Sequence, residues 1–222
     1  MKPILFALVL TALSALTSHR IARASECIQS SAANSPTVVP DAFKQIDFRN
    51  HSYPYKFSFG KRVEVALKGG EYEYDFKDER GSFKLANVYF ADLTGDSRRE
   101  AIVMLWHVSC GVSCDGGAAH FYVYSVNKHK LKSLWRYETG SLAYGCGLKS
   151  FSVNGAKITV ELFGRCISGN EAASGSGKFQ LKDITRLTFE SNGSRIVARK
   201  RSLVPTPERS VLNYEPQISI QE

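Results

Sequence analysis

The chain has 222 residues, of which 43% are hydrophobic and 23% charged, and a formal net charge of +8. This is ordinary globular content, which excludes a low-complexity or wholly disordered polymer and suffices for one domain of roughly 180 residues with its own core. The excess charge is mild once Lys2, Arg20 and Arg23 of the N-terminal segment are set aside. Its one cluster, Arg195, Arg199, Lys200 and Arg201, has no interleaved aromatic platform, so nucleic acid is set aside as a partner and the cluster is read as a solvated strand face.

Lys2 opens a short positive region, the run from Ile4 to Thr17 is almost wholly apolar or small, and Ala22-Arg23-Ala24 has the small-residue pattern of a cleavage site. The apolar run is too short to span a bilayer, so residues 1–24 read as a signal peptide and the mature chain is expected to begin at Ser25, without a transmembrane span, in the periplasm or outside the cell. Residues 25–42 are small, polar and proline-bearing and read as a flexible lead-in.

From Phe43 the dominant period is two, apart from a short helix expected over Asp41 to Ile46. Tyr53, Tyr55, Phe57 and Phe59 alternate with polar residues; they read as the core face of a half-buried strand, with sugar stacking as the alternative. Val63, Val65 and Leu67 alternate, and after Gly69-Gly70 so do Tyr72, Tyr74 and Phe76 against Glu71, Glu73 and Asp75. The pattern predicts a hairpin there, its three carboxylates forming a solvated edge. Further strands are expected over 83–90, 101–108, 119–126 and 131–137, then two hairpins about Asn154-Gly155 and Asn192-Gly193, the first as a type I′ turn with positive φ at both residues. No long apolar i, i+3, i+4 stripe occurs. Residues 43–204 therefore read as one mainly β domain, an antiparallel sandwich or barrel-like fold of nine or ten strands, and residues 205–222, with their prolines, as an extended or disordered tail.

One loop has side chains spaced for chemistry. Between the apolar runs ending at Ala91 and beginning at Ala101, Asp92, Thr94, Asp96 and Glu100 place oxygens at alternate or near-alternate positions; Gly95 allows a bend and Arg98 can offer a carbonyl. Calcium takes about six to eight such hard oxygen ligands. Over residues 88–105 the chain resembles the Asp-x-Asn-x-Asp-Gly-x-x-Asp loops of FG-GAP and VCBS-type repeats, on Asp92, Gly95, Asp96, Glu100 and the strand that follows, with Thr94 and Ser97 departing from the pattern. The resemblance implies a calcium loop leading into a strand. It occurs once, and a propeller needs at least about four blades, so no complete propeller is implied.

Five cysteines lie at 27, 110, 114, 146 and 166. In an exported chain Cys110 with Cys114 and Cys146 with Cys166 are the favoured disulfides, the second joining the ends of the Asn154-Gly155 hairpin and stabilising by about 3 kcal/mol in the chain-entropy model. A competing reading takes His107, Cys110, Cys114 and His120 as zinc ligands. Asn50-His51-Ser52 and Asn192-Gly193-Ser194 match the glycosylation sequon, the second also being a turn. No nucleophile elbow, His-Glu-x-x-His or phosphate loop is present, so no catalytic residue is assigned. The function read from the sequence is a non-enzymatic exported domain binding a protein, glycan or envelope component; a metal-dependent hydrolase using the acidic loop is the alternative.

Overall fold

The computed structural model describes residues 38–57, 60–76, 79–110, 114, 117–128, 130–141, 145–166, 183–205 and 216–221. The expected leader, most of the lead-in, Phe59 and residues 206–215 lie outside these. A 3-10 turn over Asp41–Phe43 and another over Phe48–Asn50 precede a mainly β domain. Its strands are β1 (Ser52–Lys56), β2 (Arg62–Ala66), β3 (Glu71–Phe76), β4 (Glu79–Ala91), β5 (Glu100–Cys110), β6 (Ala118–Asn127), β7 (Lys130–Ser141), β8 (Leu148–Asn154), β9 (Lys157–Phe163), β10 (Asp183–Ser191), β11 (Ile196–Pro205) and β12 (Gln217–Gln221). They form a five-stranded sheet β3-β4-β5-β6-β7, a second of order β11-β10-β9-β8-β12, and the separate pair β1-β2.

The result is three layers, neither a closed barrel nor a propeller. One face of the β3–β7 sheet, with Ile102, Met104, Phe121 and Val123, packs on Phe151, Val153, Val160 and Phe189 of the second sheet. Phe121 and Phe151 stack at 4.2 Å between centroids. The opposite face, with Val103, Leu105, Phe83 and Tyr122, is covered by Tyr53 and Tyr55 of β1, Phe57, Val65 of β2 and Phe43. Burial on both faces explains why β5 reads Ala-Ile-Val-Met-Leu without polar alternation, a pattern more usual in parallel sheets. Tyr53, Tyr55 and Phe57 are buried in this second core, as their alternation predicts.

Three local expectations are corrected. The chain does turn at Gly69-Gly70, both at positive φ (64° and 99°), but the flanking strands do not pair beyond the single bridge Lys68–Glu71. Other partners take the next backbone groups: Leu67 N–H donates to His51 O (3.1 Å), Gly70 N–H to Arg49 O (2.7 Å) and Leu85 N–H to Gly70 O (2.7 Å). So β2 pairs with β1 and β3 with β4. In the β8–β9 hairpin Asn154 pairs with Lys157, which makes Gly155 and Ala156 the turn residues; only Gly155 has positive φ (52°), so the turn is not of type I′. The tail supplies β12, which runs parallel to β8 within an otherwise antiparallel sheet.

Sheet edges are blunted by charge. Glu71, Glu73 and Asp75 lie exposed on edge strand β3, and Arg199, Lys200 and Arg201 on edge strand β11, a common device against edge-to-edge association. Among the described residues no helix is long and apolar enough to cross a membrane.

Candidate functional site

The loop between β4 and β5 folds around its own carboxylates. Asp92 accepts from the N–H groups of Gly95 (2.7 Å) and Ser97 (2.8 Å), closing a turn through residues at positive φ, Gly95 at 74° and Ser97 at 65°. Glu100 is buried at 2% exposure and accepts from the N–H groups of Leu93 (2.9 Å) and Thr94 (3.2 Å) and from the Thr94 hydroxyl (3.3 Å). Asp96 accepts from Arg98 N–H and Nε–H (both 2.9 Å). Arg98 thus serves this loop through its guanidinium, which holds the Asp96 carboxyl below the usual range. Burial raises Glu100, against the pull of the Leu93 N–H bond.

These bonds give each sequence-predicted residue a local role: Asp92 organises Gly95 and Ser97, Glu100 gathers Leu93 and Thr94, and Asp96 holds Arg98. Among the described residues no group of three or more His, Cys, Asp or Glu side chains is placed to hold a metal ion. Beside the loop opens a cleft of about 610 Å³, lined by Ser97, Arg99, Asn127, Lys132 and the exposed Val38 and Val39, among others. It brings together segments distant in sequence, and no local pattern announces it.

A second constellation lies under the β1–β2 pair. His107 on β5 and His120 on β6 are 5% and 0% exposed, and the Tyr55 ring stands edge-on to both. Tyr74 donates to Glu79 (3.1 Å), and its oxygen lies 2.9 Å from His107 Nε2. A hydroxyl has one proton, so Tyr74 cannot donate to both: where it donates to Glu79, His107 Nε2 carries the proton shared with Tyr74. Burial pushes the His107 imidazole down to about 4. Burial, then His107 and Arg136, hold His120 well below the ordinary histidine range. The nearest acid, Glu138, is 3.8 Å from His120 Nδ1, too far for a hydrogen bond, and is itself raised by burial; neither His120 ring nitrogen has a partner among the described residues. Both imidazoles are neutral at neutral pH. Both are sealed beneath aromatic rings.

Cys110 is bonded to Cys114 and Cys146 to Cys166. A sulfur in a disulfide is no thiolate, so His107, Cys110, Cys114 and His120 do not form a zinc site. The Cys146–Cys166 bridge lies in the core between the sheets and ties the chain before β8 to the chain after β9. The basic cluster is solvated: Arg199 pairs with Glu190 (3.4 Å) and Arg201 donates to Cys166 O (3.4 Å). Asn192 accepts from Ser194 N–H (3.2 Å) and Arg195 N–H (2.9 Å), a side-chain-supported turn.

Fold and sites together define a mainly β domain with two disulfides. Compared with protein-family models, curated proteins and solved structures, the chain has no significant match to any of them.

Proposed function

We propose that the chain is an exported, non-enzymatic β domain that binds a protein, glycan or envelope component at the cleft beside the β4–β5 loop. The observation that carries this reading is the contrast between the two constellations. The two histidines are enclosed, whereas the cleft is open and lined by Ser97, Arg99, Asn127 and Lys132, with Asp96 and Glu100 of the loop, beside the apolar Val38 and Val39. A few polar groups on an apolar-edged concavity are the usual makings of a ligand site. Export is supported by the leader-like N-terminus and by the two disulfides, which persist in oxidising compartments. Calcium at the loop rests on the FG-GAP resemblance, while the hydrogen bonds favour a loop that holds itself.

The test is binding to a glycan array and to immobilised envelope extract, by the parent and by Asn127→Trp and Lys132→Glu. Binding by the parent that both variants lose, at unchanged melting temperature, is expected. Binding that survives both substitutions contradicts the assignment of the cleft.

A further inference from the structure

β12 differs from every other strand of its sheet. It runs parallel to its neighbour, is five residues long, and follows the ten residues 206–215. Its hold on the domain is one five-residue parallel ladder and two partly buried side chains. Ile218 and Ile220 pair with Phe151 and Val153 of β8 and pack partly buried against the core between the sheets, while Gln217, Ser219 and Gln221 face outward. Among the described residues a side-chain hydrogen bond from Asn154 Nδ2–H to Gln221 Oε1 (3.2 Å) joins the two strands, and no cysteine lies beyond Cys166. The edge it covers is the reverse of β11: β8 carries no basic row and contributes the fully buried Phe151, Val153 and Leu148. Uncovered, β8 presents a ladder of unpaired backbone groups beside apolar side chains, the surface on which added strands dock.

The tail's starting point gives it freedom of choice. Pro205 pairs with Asp183 and Gln217 with Ser150, which puts the end of β11 and the start of β12 at the same end of the sheet but on opposite edges. Four strand intervals separate them, roughly 19 Å. The intervening chain can span up to roughly 40 Å. The tether therefore reaches its own β8 with length to spare.

We propose that the β8 edge is a strand-acceptor site and that its partner is the tail of a second copy of this chain. Residues 217–221 add there in parallel, with Ile218 and Ile220 entering beside Phe151 and Val153. The resident tail is the tethered competitor. A tether of this length gives it an effective concentration on the order of 1 mM, so exchange between copies involves roughly a tenth of the molecules near 100 µM and rises when the resident tail is removed.

Ser152 and Ser219 are directly paired across the β8–β12 ladder, which makes them the reporters. In a Cys27→Ser background, a chain with Ser152→Cys is mixed with a chain with Ser219→Cys and oxidised near 100 µM. A disulfide-linked heterodimer is expected, and deleting residues 206–222 from the Ser152→Cys chain should raise its yield, the donor tail's own β8 edge then being the one remaining competitor. A single chain with both substitutions, oxidised at low concentration, should close internally. Internal closure without any heterodimer overturns the exchange between copies, and absence of both products overturns the seat on β8. If the deleted chain loses its native circular dichroism, the full-length mixture alone decides.

Discussion

Glu100→Ala removes the acceptor for two backbone N–H groups at once, those of Leu93 and Thr94, together with the Thr94 hydroxyl. Leu93 is fully buried, so its N–H has no water to turn to. An unsatisfied buried donor costs about 1–3 kcal/mol. Thr94 is half-buried and can recover part of its loss, and the variant is also relieved of a carboxylate that burial disfavours. The net loss is about 2–3 kcal/mol, or roughly 4–12 °C in melting temperature for a domain of this size. Glu100→Gln keeps one carbonyl acceptor and should lose about half as much. Asp96→Ala breaks a solvent-facing pair with Arg98 and a bond from the exposed Arg98 N–H, which water can replace, and should leave the melt nearly unchanged. Thermal melts followed by circular dichroism at pH 7.5 decide the matter. A Glu100→Ala melt within 1 °C of the parent, or an equal loss in Asp96→Ala, would refute the loop described here.

Burial of neutral His107 makes stability depend on pH. Its imidazole titrates near 6.5 in the unfolded chain and near 4 in the fold, so the unfolded state binds the proton first, and stability is complete above about pH 6.5 and falls as the pH drops toward 4. Between pH 7.5 and pH 5 the loss from this group is about 2 kcal/mol. His107→Gln keeps a donor for Tyr74 without titrating and should show that much less acid loss in urea unfolding; Glu100 and Glu138, raised by burial, act in the opposite sense in both proteins, so an equal loss in parent and variant contradicts the assignment. Cys146→Ala with Cys166→Ala should cost about 3 kcal/mol, and titration of the unfolded, unreduced parent should find four blocked cysteines; four free thiols would sink the disulfide assignment. Adding calcium to chelator-treated protein tests the calcium loop that the FG-GAP resemblance implies: a rise of several degrees in the melt that Asp92→Ala removes would place an ion there, and an unchanged melt would leave the loop held by its backbone amides alone.

The fold class was legible because alternation is a local property. Tyr53, Tyr55 and Phe57 announced a buried face, and Tyr72, Tyr74 and Phe76 another, without any knowledge of what covers them. Pairing is not local: Gly69-Gly70 promised a hairpin, and only the claims of His51 and Arg49 on the neighbouring backbone groups show why the strands part. β12 was hidden for a similar reason, since Gln-Ile-Ser-Ile-Gln is short, follows Pro216 and becomes a strand only because β8 has an unfilled edge. In the β4–β5 loop the spacing of Asp92, Asp96 and Glu100 marked a built turn, but spacing alone does not distinguish a carboxylate that accepts from backbone amides from one that awaits a cation. His107 and His120 looked like ligands beside two cysteines; their burial beneath Tyr55 follows from strand β1, which lies more than fifty residues earlier in the chain. The cleft was invisible because it is made where the loop, the end of β6 and residues 38–43 meet.

Hydrogen exchange of the protein free and with its captured partner bears most directly on the claim that the cleft, and not the enclosed histidine cluster, is where this domain works. The account predicts slowed exchange confined to residues 93–99 and 125–132, with 118–122 unchanged. Protection centred on β5 and β6 around His107 and His120, with the loop unaffected, would contradict it.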